Sequence, residues 1–243
     1  MPRFFIDGAP AGDTIAIAGD DAHHIARVLR MKPGEKLTVC DGTGTDYQCT
    51  LTGTDGGTAL CHVDARAPSR GEPSVHVTLY MALPKGDKMD FIVQKAVELG
   101  ACRVVPYTAA RSVSRPDAKA LAKKAVRWRK IAREAAQQSG RGRVPEVADC
   151  MPFAEAVRQA GACAPALLLY ESERQNSLRA ALTARPFAEA ALMVGPEGGF
   201  AAEEVQAACE AGLVRVSLGP RILRCETAPL AALAAVLYES GNL

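Results

Sequence analysis

Apolar positions over the first third of the chain come in short bursts separated by turn-forming residues. The bursts are Phe4-Phe5-Ile6, Thr14-Ile15-Ala16-Ile17, Lys36-Leu37-Thr38-Val39-Cys40, Tyr47-Gln48-Cys49-Thr50-Leu51 and Ala59-Leu60-Cys61-His62-Val63. Between them lie Lys32-Pro33-Gly34-Glu35, Asp41-Gly42-Thr43-Gly44 and Asp55-Gly56-Gly57. Such spacing predicts short strands curling into a small barrel. One helix is expected among them: Asp20 or Asp21 caps a segment with Ile25, Val28 and Leu29 on one face and Arg27 and Arg30 near its end. Residues 67–74, with two prolines, a glycine and charges, read as a linker.

From residue 75 the pattern becomes strand–helix alternation. Val75–Leu83 is rich in strand formers, and the next segment places Met89, Ile92, Val93, Ala96 and Val97 on one helical stripe before Gly100. A short strand over Arg103–Tyr107 precedes a long helix, roughly 117–138. Further strands are expected at Ala166–Tyr170, Ala190–Val194 and Val214–Leu218, with helices after Gly199 and from about Ala228. This order predicts an α/β domain with a parallel sheet covered by helices.

Composition adds little to that picture and removes several alternatives. The 243 residues carry a formal net charge of +2, too small to mark a polyanion binder by itself. Eight cysteines (Cys40, Cys49, Cys61, Cys102, Cys150, Cys163, Cys209, Cys225) never form a C-x-x-C pair, so free thiols in a reducing cytosol are expected rather than a disulfide framework. The histidines do not join them at zinc-site spacing, and no metal is expected. No window has the ~18–20 apolar residues of a membrane span, and the first residues do not read as a signal peptide. A cytoplasmic protein follows as the expectation.

Candidate chemistry lies in the C-terminal third. Leu192-Met193-Val194-Gly195-Pro196-Glu197-Gly198-Gly199-Phe200 takes an apolar strand into a glycine-rich loop ahead of a helix. Such loops stand at the C-terminal ends of strands, where open α/β sheets bind small molecules. It is neither a dinucleotide nor a P-loop fingerprint. The second loop, Ser217-Leu218-Gly219-Pro220-Arg221-Ile222-Leu223-Arg224-Cys225-Glu226-Thr227-Ala228, sets two arginines around two aliphatic residues, which suits an anionic or ring-bearing ligand.

These paired loops resemble those of the ribosomal small-subunit uridine methyltransferase E family, a branch of the knotted SPOUT methyltransferases. The likeness extends through His23-His24-Ile25-Ala26-Arg27-Val28-Leu29-Arg30, Leu83-Pro84-Lys85-Gly86-Asp87-Lys88, Gln94-Lys95-Ala96-Val97-Glu98-Leu99-Gly100 and Ser139-Gly140-Arg141. Cys225 stands where the family often has threonine, and Gln137 where glutamate is expected. The resemblance implies a PUA-like RNA-binding β-barrel over 1–70. It implies a SPOUT methyltransferase domain over 75–243, with a parallel sheet and a C-terminal trefoil knot. It further implies a homodimer acting on small-subunit ribosomal RNA or the 30S particle, with N3-methyluridine as product. S-adenosylmethionine would rest on Leu169, Gly195, Pro196, Glu197, Gly198, Gly199, Leu218, Gly219, Ile222 and Leu223. RNA contacts are implied for Arg27, Arg30, Lys85, Lys88, Arg141 and Arg143.

A basic long helix adds independent support for RNA, with Lys119, Lys123, Lys124, Arg127, Arg129, Lys130 and Arg133 off its Leu121–Ala125–Trp128–Ala132–Ala135 face. Trp128 is expected in the core. Methylating uridine N3 removes the imide proton, so cations that stabilise the uracil anion are needed. Arg221 and Arg224 are the candidates. Three roles stay open for Glu226: accepting that proton, capping the last helix, or holding an arginine. Two other readings stand beside this one: a ribose 2′-O-methyltransferase of the same class, and a non-catalytic RNA-binding assembly factor.

Overall fold

A computed structural model describes residues 1–243, which form two compact units. The first comprises Met1–Glu72 with Ala136–Val144, the second Pro73–Ala135 with Pro145–Leu243.

The first unit is built on a five-stranded sheet. Its strands are β1 (Arg3–Phe5), β2 (Thr14–Ala18), β3 (Lys36–Cys40), β4 (Thr45–Asp55) and β5 (Thr58–Pro68), in the order β1-β3-β4-β5-β2. Only β1 and β3 run in parallel. Along β2, Ile15 and Ile17 are buried while their neighbours are exposed, the period of a half-buried strand. β4 and β5 meet at the Asp55↔Thr58 pair, leaving Gly56 and Gly57 as a two-residue turn with φ of 55° and 82°. Both central residues of such a hairpin turn need positive φ, and glycine adopts it without a steric cost. Phe4, Leu37, Val39, Tyr47, Leu51 and Val63 fill the core with Ile15, Ile17 and Ile25.

The expected helix near residue 25 takes a different form. α1 (Gly19–His23) runs into a π-helical turn, His24–Val28, closed by Leu29 N–H on the His24 carbonyl at 2.9 Å. The wider turn rotates the side chains that follow. Ile25 is fully buried, whereas Val28 is 61 % exposed and Leu29 41 %, so the anticipated three-residue apolar face does not form.

In the second unit all strands are parallel. They are β6 (His76–Ala82), β7 (Arg103–Thr108), β8 (Glu146–Val147), β9 (Met151–Pro152), β10 (Ala166–Leu169), β11 (Glu189–Val194) and β12 (Val214–Val216). The order is β12-β10-β11-β6-β7-β8, with β9 also on β7. The helices are α2 (Lys88–Glu98), α3 (Ala118–Gln138), α4 (Phe153–Ala160), α5 (Leu178–Thr183), α6 (Ala202–Glu210) and α7 (Ala228–Glu239). Tyr80, Tyr107, Leu168, Ala191 and Met193 share one core layer with Ala156 and Val157 of α4 and Val205 and Ala208 of α6. Alternation sends Leu79, Met81 and Leu192 to the opposite face, where α7 packs on β6 and β11 and against α2 and α5. Trp128 is buried, its indole N–H on Asp90 at 3.0 Å. No helix is long and apolar enough to cross a membrane.

Candidate functional site

The site grows from three strand ends. β11 stops at Val194 and opens into Gly195–Phe200. β12 stops at Val216 and opens into Ser217–Thr227. These strands are not adjacent, because β10 lies between them. The segment after β10, Tyr170 to Arg174, therefore forms a third wall. Together the three segments line a cavity of about 590 Å³, within the range of small-molecule sites.

Every residue expected to touch the cofactor lines this cavity: Leu169, Gly195, Pro196, Glu197, Gly198, Gly199, Leu218, Gly219, Ile222 and Leu223. Arg221, Arg224 and Glu226 line it too. Val194, Phe200, Val216 and Ser217 of the same two strand–loop segments join them, and so do Tyr170, Glu171 and Arg174, the last three unpredicted because the strand order that inserts β10 is a long-range property.

Backbone, rather than side chain, makes the floor of the 195–200 loop. Gly199 adopts φ of 65° and donates its N–H to the Pro196 carbonyl at 2.9 Å. A Cβ there would collide with the Glu171 carboxylate, and one on Gly195 would stand 3.1 Å from the Phe200 ring. Behind the loop, the buried Tyr107 hydroxyl donates to the Val194 carbonyl at 2.8 Å. Glu204 accepts from the Ala201 N–H at 2.9 Å and the Ala110 N–H at 2.8 Å, anchoring the start of α6.

The charges fall into two groups. Lys88, at the start of α2, places its ammonium 3.1 Å from Glu197 and 3.0 Å from Glu226. The hydrogen bond to Glu226, then that to Glu197, holds the lysine well above the usual ammonium range. The Lys88 hydrogen bond, followed by that of Cys225, keeps Glu226 below the ordinary carboxylate value. Burial pushes Glu197 up, but the N–H groups of Glu197 and Lys85 and the Lys88 ammonium outweigh it. Burial lifts the neighbouring Cys225 thiol to about 12. The side chains of Arg221 and Arg224, by contrast, are exposed at the rim and make no hydrogen bond or ion pair within the chain. Ile222 between them is 82 % exposed and also lines the cavity.

The residues expected on RNA are scattered in environment. Arg27, Arg30 and Lys85 are exposed, and Arg143 is exposed with its Nε on the Thr43 carbonyl at 3.0 Å. Lys88 belongs to the cavity wall, because β6 neighbours β11 and the turn after β6 reaches the 195–200 loop. Arg141 needs correcting. Its side chain is 3 % exposed and pairs with Glu72 at 2.7 Å, and the same carboxylate accepts the N–H groups of Gly142 and Arg143 at 2.9 and 3.1 Å. A buried, paired guanidinium is not free for a phosphate. Of the helix cations, Arg127 pairs with Asp90 and Arg129 with Asp149, while Lys119 and Lys123 are exposed.

A parallel sheet with its small-molecule cavity at the strand ends, in a chain that also carries a small β unit, defines a class. A family model described as an RNA methyltransferase domain matches residues 71–237, and one described as an RNA methyltransferase PUA domain matches residues 17–64. Among relatives, the ribosomal RNA small subunit methyltransferase E of Bacillus subtilis is 38 % identical over 100 % of this chain and 98 % of its own. That of Mycobacterium bovis is 35 % identical over 96 % and 90 %. A crystal structure of the methyltransferase E of Neisseria gonorrhoeae bound to S-adenosyl methionine aligns with a TM-score of 0.88 and 34 % identity, covering 98 % of this chain and 97 % of that one. The chain therefore belongs to the ribosomal RNA small subunit methyltransferase E family.

Proposed function

We propose that this protein methylates N3 of uridine in small-subunit ribosomal RNA, using S-adenosylmethionine. One observation carries the reading: three strand ends converge on a glycine-floored cavity whose rim bears two unpaired arginines. The residues fit such a cofactor. Leu169, Leu218 and Leu223 offer apolar walls for an adenine ring, and the backbone of Gly195–Gly199, Gly219 and Ile222 offers polar groups at close approach. Glu171, which has no cation paired with it, offers a carboxylate for the ammonium of the methionine moiety. When bound, S-adenosylmethionine supplies a methyl group already activated by its sulfonium.

Arg221 and Arg224 stabilise the negative charge that builds on uracil as the imide proton leaves. Glu226 is committed to Lys88 and Cys225, so it holds the lysine and leaves the proton to solvent. Arg27, Arg30, Lys85 and Arg143, exposed cations of the two units, contact RNA phosphates. A small PUA-like RNA-binding domain over 1–70, a methyltransferase domain over 75–243 and a C-terminal knot belong to the same proposal. So do a homodimer, a cytoplasmic location and the 30S particle as the form of the substrate.

The test is mass analysis of nucleosides from small-subunit RNA, and from 30S particles, after incubation with the protein and methyl-labelled cofactor. Label in 3-methyluridine is expected. Label in a ribose-methylated nucleoside, or in none, contradicts the assignment.

A further inference from the structure

We infer that the Glu197–Lys88–Glu226 cluster gives the cavity its preference for a cationic ligand over its neutral counterpart. It thereby favours S-adenosylmethionine over the S-adenosylhomocysteine that remains after transfer. The inference rests on the proposed cofactor and assigns these three residues a discriminating role within its site.

The two ligands differ by one methyl group and one positive charge, so shape offers the protein little to distinguish them. Charge does. Two carboxylates share a single ammonium at 3.1 and 3.0 Å, which leaves one negative charge in surplus. That charge is held in place. Lys88 spans the start of α2, the 195–200 loop and the end of the 217–227 loop, and the side chains of all three residues are about two-thirds or more shielded from solvent. A fixed, half-desolvated charge acts on a bound cation more strongly than a mobile one in water.

The other charged groups lining the cavity, Arg174, Arg221, Arg224 and Glu171, are all exposed and more strongly screened than the cluster. Arg221 and Arg224 are exposed at the rim, so water screens their charge until the substrate base arrives. Arg174 and Glu171, both exposed, carry opposite charges. Cys225, 3.7 Å from the Lys88 ammonium and 3.2 Å from Glu226, stays a neutral thiol because burial lifts it to about 12. Loss of the ligand's charge on methyl transfer therefore removes a favourable interaction with the cluster, which promotes product release.

Calorimetric titration of the full chain with S-adenosylmethionine and with S-adenosylhomocysteine tests this without any turnover. In Glu226→Gln and in Glu197→Gln, the ratio of the two affinities is expected to fall by about tenfold relative to wild type, through weaker S-adenosylmethionine binding. Lys88→Arg keeps the charge and should keep the ratio. Equal weakening of both ligands in the glutamine variants, or an unaltered ratio, overturns the inference and leaves a purely architectural cluster. If one glutamine variant loses its folded circular-dichroism signal, the other decides. Wild type that binds neither ligand overturns the cofactor assignment itself, a different failure from an unmoved ratio.

Discussion

The Arg224 and Arg221 side chains stand exposed at the cavity rim with no partner in the chain, so their charges are free for a ligand. Replacing Arg224 with alanine should lower the single-turnover methylation rate by about a hundredfold, typical of losing one preorganised donor. Affinity for S-adenosylmethionine should stay within about twofold, since calorimetry reads a different interaction. A matched fall in both would mean that the arginine holds the cofactor rather than the developing anion. At this scale the chain was partly legible. The glycines of the 195–200 loop announced backbone approach, because no other residue gains from standing three times in one short turn. Lys88 and Arg141 did not announce their roles. A lysine or arginine looks alike in sequence whether it meets Glu197, Glu72 or a phosphate, and only three-dimensional neighbours decide.

Elements were legible where their period is regular. β2 alternates Ile15 and Ile17 with exposed neighbours, and α2 repeats Met89, Ile92, Val93, Ala96 and Val97, all buried. Elements shorter than a full pattern escaped. α4 has only eight residues and β8 and β9 two each, too few to show a period, and the π-helical turn at His24–Val28 breaks the period it interrupts. One tie between elements gives a pH prediction. Arg3 of β1 grips Asp46 of β4 through two contacts of 2.7 Å, with Ser69 also donating to that carboxylate. Burial pushes Asp46 up, yet the Arg3 and Ser69 hydrogen bonds outweigh it and hold the acid below its ordinary value. A depressed carboxylate stabilises the fold above its unfolded pKa and loses that contribution as pH falls through the folded one. Asp46→Asn should therefore cost about 2–4 kcal/mol at pH 7 in urea melts. The gap to wild type should begin to narrow as pH falls below about 4 and close as it passes the lower folded value. A gap that persists unchanged into acid would show that the ion pair is not its source.

At the scale of the molecule, the alternation of strands and helices after residue 75 foretold a parallel sheet, while the order β12-β10-β11-β6-β7-β8 was out of reach. Local pattern sets what each segment becomes, whereas strand order depends on contacts between segments far apart in the chain. That order matters because it sets β10 between the two glycine-bearing strand ends and so turns a pair of loops into a three-walled cavity. The central claim is that this cavity grips S-adenosylmethionine on a floor of glycine backbone, with Gly199 in the left-handed region. Calorimetry on wild type and Gly199→Ala tests it most directly. One binding site per chain is expected in wild type and a loss of about a hundredfold or more in the variant, whose Cβ must displace Glu171 in a strained backbone. Thermal melts should show both proteins folded. Undiminished binding by Gly199→Ala, or no binding by wild type, would contradict the account.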